Sequence, residues 1–155
     1  MTLILFILIC EGVGLLGSFY TREALGSWYA KLKKPAFNPP AWLFGPVWTL
    51  LYALMGVSAW LVSNESGIML TEVKFALFMF FLQLLVNGAW SFIFFGAKLI
   101  NYALADIVML WMFIVLVIFL FLPISPLAGL FMLPYLAWVS FATALNYSIW
   151  KLNKT

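Results

Sequence analysis

A chain of 155 residues that is 66% hydrophobic and only 8% charged has the length of one domain. It carries too much apolar surface to fold in water without exposing large sticky patches. Its net charge of +3 comes from Lys and Arg outside the apolar runs, which reads as membrane topology and not as nucleic-acid binding. With no histidine and a single cysteine, Cys10, the chain has no internal disulfide and almost no ligands for zinc, haem or a Cys/His catalytic site. Neither a metal nor a cofactor is expected.

Five apolar runs are each long enough to cross a hydrocarbon layer about 30 Å thick, which takes roughly 20 helical residues. They cover residues 2–20, 41–63, 73–97, 100–122 and 126–150. The expected fold is therefore all-α, a single domain over residues 1–155 built as a bundle of five transmembrane helices. The first run has the length of a signal peptide. It lacks a basic leader, carries Glu11 at its centre and has no convincing cleavage motif behind it, so it is read as a helix.

Five crossings put the two ends of the chain on opposite sides. Arg22, Lys31, Lys33, Lys34, Lys98, Lys151 and Lys154 then share one side, and Lys74 lies on the other. This bias makes the first side cytoplasmic, with the C-terminus and the connection over 21–40 on it. The expected location is a multi-pass place in a bacterial envelope membrane, or in the mitochondrial outer membrane for a eukaryotic chain.

The 21–40 connection is the one with room for structure. It leads into "KKPAFNPPAWLFGPVW" (33–48), which holds four of the chain's seven prolines and two tryptophans. Trp28, Tyr29, Leu32 and Phe37 give the loop an apolar face to bury. Ser27 is placed to cap a short helix through about Lys33, and Pro35 biases Lys34 away from helix. Pro39 and Pro40 hold an extended approach to the second span. Such a stiff segment is either a rigid connector or a lid.

A lid needs a cavity beneath it. Glu11, Gln83, Asn87, Asp106 and Asn146 lie inside the spans, and a polar side chain facing lipid is costly, so all five should point into the bundle. Gln83, Asn87, Trp90, Ser91 and Phe94 share one face of the third span. Trp48, Tyr52, Met55, Gly56 and Ala59 share one face of the second, and Pro134, Trp138, Ala142 and Leu145 one face of the fifth. Trp42 fits an interfacial belt, whereas Trp48, six residues on, is about 9 Å deeper. The aromatic and polar faces converge at one depth, on the side of the proline-rich loop.

Each of these residues also has a plainer reading. Trp48 and Trp138 fill a bundle equally well, and Asn87 and Asn146 serve as interhelical hydrogen-bond glue. Glu11 is either a proton site or a neutral, hydrogen-bonded carboxyl. Pro134 frees the carbonyl of Leu130 and is expected to kink the fifth helix. Gly14 and Ser18 form a close-packing pair, internal or oligomeric. Leu145, Tyr147 and Lys151 fit a loose sterol-contact pattern that arises often by chance.

The segments "WYAKLKKPAFNPPAWLFGPVWTLLYALMG" (28–56), "NGAWSFIFFG" (87–96) and "PYLAWVSFATALNYSIWKLN" (134–153) resemble the signatures of the translocator protein family, also called tryptophan-rich sensory proteins or peripheral-type benzodiazepine receptors. The resemblance covers essentially the whole chain from Trp28 onward. It implies a five-helix bundle, often a homodimer, that binds porphyrins such as protoporphyrin IX, sterols in eukaryotic members, and benzodiazepine-type ligands under the first loop. Carried over by motif, the ligand-binding positions are Tyr29, Trp48, Tyr52, Asn87, Trp90, Trp138 and Ala142. The sterol-contact segment is Leu145, Tyr147 and Lys151. The resemblance leaves the role of Glu11 open.

Three functions compete on these grounds. The first is a membrane receptor or carrier for a porphyrin-like ligand. The second is light-dependent porphyrin breakdown in the same pocket, with Trp48 and Trp138 as the reacting groups. The third is a proton-coupled transporter in which Glu11 titrates. No nucleophile–base pair is visible, which argues against hydrolytic or transfer catalysis. The expected partners are a hydrophobic small molecule, the bilayer and a second copy of the chain.

Overall fold

The computed structural model describes residues 2–154. All five runs are helical and long and apolar enough to cross a membrane. The spans are α1 (Leu3–Leu25), α3 (Ala41–Asn64), α4 (Leu70–Ser91), α5 (Ile100–Ile124) and a broken fifth, α6 (Pro126–Phe131) followed by α7 (Leu133–Asn153). The short α2 (Trp28–Lys31) lies between α1 and α3.

The chain departs from the hydropathy pattern where backbone chemistry overrides it. Helix α1 runs five residues past the apolar run, through Arg22 and Glu23, because charged side chains at the headgroup level need not end a helix. The lid is correspondingly shorter. Ser27 does not cap α2 with its side chain; its Oγ donates instead to the Glu23 carbonyl at 2.7 Å, and α2 stops at Lys31. The fifth span breaks at Met132, two residues before the proline expected to kink it. Pro134 has no N–H for the Leu130 carbonyl and its ring crowds that turn. Met132 takes φ −82°, ψ −15°, and its N–H reaches Gly129 at 3.2 Å. Helix α4 ends in a π-helical turn, Phe92–Gly96, which hydropathy cannot show. Between α5 and α6 only Ser125 is non-helical.

Neighbouring helices close a ring: α1 packs on α3 and α4, α4 on α5, α5 on α6 and α7, and α6 back on α3. The half of the ring away from the lid is solid. Phe6, Met55, Val62, Phe80, Phe121 and Met132 fill it with essentially no exposure. Gly56 allows the closest approach there, since a Cβ on it would stand 2.6 Å from the Ile7 Cα. Outside the ring, Ile4, Leu8, Leu85 and Phe119 are exposed, as expected of side chains whose surroundings are lipid tails.

Candidate functional site: a lidded aromatic cavity

Toward the lid the ring is hollow. A cavity of about 460 Å³ lies between α1, α3, the end of α4 and α7, with the lid as its roof. Sequence spacing predicts its aromatic walls. Trp48 and Tyr52, one turn apart on α3, stack at 5.4 Å. Trp90 stacks on Phe94 at 5.1 Å. Trp138 lies between Phe44 (6.1 Å) and Phe141 (5.5 Å). Ala142 and Leu145 continue the α7 wall, and Glu11 lines the cavity from α1.

Tyr29 is the roof. It is buried, rests on Phe94 and Phe95 at 6.1 and 5.7 Å, and donates its hydroxyl to Asn38 Oδ1 at 2.8 Å. Burial pushes its phenol up to about 12. The lid is fastened at its other end too. The Lys33 N–H donates to Asn153 Oδ1 at 3.0 Å, and Asn153 Nδ2 donates to the Lys33 carbonyl at 2.8 Å. Lys34 folds back onto the lid, its Nζ on the Ala30 and Leu32 carbonyls and 5.0 Å from the Tyr29 ring centroid. A loop of this composition is thereby tied down by specific bonds as well as by its prolines.

Asn87 is not in the cavity wall. It is buried behind Tyr52, whose hydroxyl donates to Asn87 Oδ1 at 2.6 Å. Asn87 Nδ2 donates in turn to the Tyr135 hydroxyl at 2.6 Å, and Tyr135 donates to Gln83 Oε1 at 3.1 Å. This chain of bonds ties α3, α4 and α7 together beneath the cavity and fixes the Tyr52 ring. The amide that does line the cavity is Asn146, which accepts from Trp90 Nε1 at 3.0 Å and donates to the Ile100 carbonyl at 3.2 Å. Three buried polar atoms have no protein partner among the described residues: Gln83 Nε2, Asp106 Oδ2 and Trp138 Nε1.

Small residues on α1 make the room. A Cβ on Gly14 would overlap the Tyr52 ring, and one on Gly17 would come within 2.9 Å of Ser91 Oγ. The Gly14 face is thus turned inward, against α3. The sterol-pattern residues do not form one surface: Leu145 is buried in the cavity wall, whereas Tyr147 is exposed and packs on Trp150 at 5.8 Å, and Lys151 is exposed. Sequence reasoning missed Arg22 and Phe44 as lining residues. Phe44 precedes Trp48 by four residues, a helical spacing that marks it, whereas the charge of Arg22 reads in the sequence as topology alone.

Five apolar helices closed around a lidded aromatic cavity define a multi-pass integral membrane protein with a small-molecule-sized pocket. The sequence matches the TspO/MBR family over residues 6–151. It is 44% identical over 153 residues to the Tryptophan-rich protein TspO of Chlorobaculum tepidum, covering 99% of this chain and 96% of the relative. It is 40% identical over 126 residues to the human Translocator protein (81% and 75%) and 37% over 126 residues to the Tryptophan-rich sensory protein of Cereibacter sphaeroides (81% and 77%). The chain belongs to the TspO/MBR family.

Proposed function

We propose that the protein is a membrane receptor or carrier that holds a flat, amphiphilic tetrapyrrole of the protoporphyrin IX type in the lidded cavity. The observation that carries this reading is the cavity itself. Its volume of about 460 Å³ falls in the range of small-molecule sites, roughly 300–1,000 Å³. Trp48, Tyr52, Trp90 and Trp138 offer ring faces at the separations seen for offset and edge stacking. Arg22 on the rim, with Lys31 and Lys33 on the lid, supplies cations for the carboxylates of such a ligand. The names of the relatives, a translocator and a sensory protein, support movement or sensing of a ligand in preference to its metabolism.

A second reading is light-driven oxidative loss of the bound porphyrin. The Trp138 indole favours it, because its N–H has no protein partner and the residue lines the cavity. The two readings share a site and differ in product. Titrating protein in vesicles with protoporphyrin IX in the dark tests the first: saturable tryptophan quenching supports it, and quenching that rises without saturation contradicts it. Illuminating the saturated sample separates the second. A carrier returns unchanged porphyrin, whereas a degrader yields a new absorbing species that Trp138→Phe suppresses.

A further inference from the structure

The residues that line the cavity differ in what lies on their other side. On α4, the π-turn, α7 and the lid, every lining residue is buried or half-buried; Tyr29, Phe94, Phe95, Leu145 and Ile149 are fully buried. The exposed lining residues all belong to α1 and α3: Leu15, Arg22, Ala41, Trp42, Gly45 and Thr49. Leu15 is 64% exposed and Trp42 71% exposed, although both border the cavity. The cavity therefore meets its surroundings along one seam, between two helices that are each long and apolar enough to cross a membrane.

Glycines report how the seam widens. At Gly56 the two helices touch, and a Cβ would lie 2.6 Å from the Ile7 backbone. At Gly45, eleven residues nearer the lid and about 16 Å along the helix, an added Cβ would meet nothing within 4 Å. Along the α1 edge, Ser18 and Thr21 direct their hydroxyls to their own helix, Ser18 Oγ to the Leu15 carbonyl at 2.7 Å and Thr21 Oγ1 to the Gly17 carbonyl at 3.0 Å. The edge is thus less polar than its sequence suggests. Arg22 stands exposed at its lid end. The lid, in contrast, is fastened by Tyr29 packed on Phe94 and Phe95 and by the bonds between Lys33 and Asn153.

We infer that the gap between α1 and α3 at Gly45 is a lateral portal. The ligand is an anionic amphiphile dissolved in the lid-side leaflet; its flat apolar body passes between the helices while its carboxylate travels at the level of Arg22. The route rests on the reading that the cavity holds a membrane-soluble tetrapyrrole. It adds that the lid need not open to load it.

Stopped-flow quenching with protoporphyrin IX preloaded in vesicles tests the portal. Gly45→Phe starts its side chain where an added Cβ meets open space; Thr49→Phe is the second obstruction should Gly45→Phe express poorly. Either variant is expected to slow association and release alike, each about tenfold, because an obstructed path changes both rates together, whereas lost binding contacts would speed release. A lid joined by a short bis-maleimide between Lys33→Cys and Asn153→Cys, in a Cys10→Ala background, is expected to keep wild-type rates. A cross-linked lid that stops loading, with Gly45→Phe and Thr49→Phe at wild-type rates, overturns the portal and leaves the binding site standing. Absence of saturable binding in the wild type overturns the proposed function and the portal with it.

Discussion

Asn153, at the end of α7, and Lys33, in the first loop, are joined by a pair of opposed hydrogen bonds of 3.0 and 2.8 Å that use only the backbone of Lys33. One carboxamide thus does for the loop what a neighbouring strand would do, satisfying both an N–H and a C=O. The far end of the chain thereby fixes the roof of the cavity. Two such bonds contribute about 1–2 kcal/mol together at this exposed position. Asn153→Ala should raise amide exchange across residues 33–38 roughly tenfold while the spans stay protected. Lys33→Ala should leave that exchange unchanged, because the lysine side chain takes no part. If Lys33→Ala loosens the lid as much as Asn153→Ala, the clasp is not what holds it.

The Tyr52–Asn87–Tyr135–Gln83 chain makes a prediction about stability. Asn87→Leu removes an acceptor and a donor at once and leaves the Tyr52 hydroxyl buried without a partner. It should cost about 2–3 kcal/mol, near the upper end for a buried polar group deprived of its bond. Tyr52→Phe removes one donor and should cost about 1 kcal/mol. Thermal unfolding in a fixed detergent gives the order. Equal effects would mean that the chain is not cooperative.

Close packing between α1 and α3 is graded, and substitution should follow the grade. Gly56→Ala forces a methyl into the Ile7 backbone and should destabilise by about 1–3 kcal/mol, the usual penalty of overpacking. Gly45→Ala meets open space and should be neutral or slightly stabilising, since alanine is the better helix former by up to about 1 kcal/mol. Melting temperatures of the two variants check this, and a larger loss from Gly45→Ala would contradict the packing described.

Alkali should loosen the lid before the bundle. The Tyr29 phenol is raised from its ordinary 10 to about 12 by burial, so the folded lid favours the neutral form. Its contribution to lid stability is fully present below pH 10 and is lost as pH rises toward 12. Ionisation also removes the proton donated to Asn38. Amide exchange or tryptophan emission of the lid, followed through that window, should show a step that is missing in Tyr29→Phe. A step that persists in the variant assigns the loosening to another group.

Much of this architecture is legible in the sequence for simple reasons. Hydropathy gives five spans because each must satisfy its own backbone in lipid. Helical spacing brings Trp48 with Tyr52 and Trp138 with Ala142 to common faces because 3.6 residues make a turn. The prolines mark the lid. The same spacing cannot say which of two inward amides reaches the cavity: Asn87 and Asn146 read alike, yet the hydroxyls of Tyr52 and Tyr135 draw Asn87 into the support beneath it, while Asn146 takes the place in the wall. The π-turn, the break at Met132 and the extension of α1 are likewise products of local backbone geometry and of the headgroup boundary, and composition records neither. Arg22 was hidden by its charge, which explains topology well enough to conceal a place on the cavity rim.

The central claim is that the cavity under the lid is where the ligand binds, and filling it tests that claim most directly. Ala142 lines the cavity on α7, and Ala142→Trp would place a large ring inside it. Dark titration of vesicle-embedded protein with protoporphyrin IX, for wild type, Ala142→Trp and Lys74→Ala as a control on the opposite side, should show saturable binding in the wild type and in Lys74→Ala. In Ala142→Trp it should be weakened by about a hundredfold or more, since most of the buried aromatic contact is displaced. Wild-type affinity in folded Ala142→Trp, or no saturable binding in the wild type, would contradict the account.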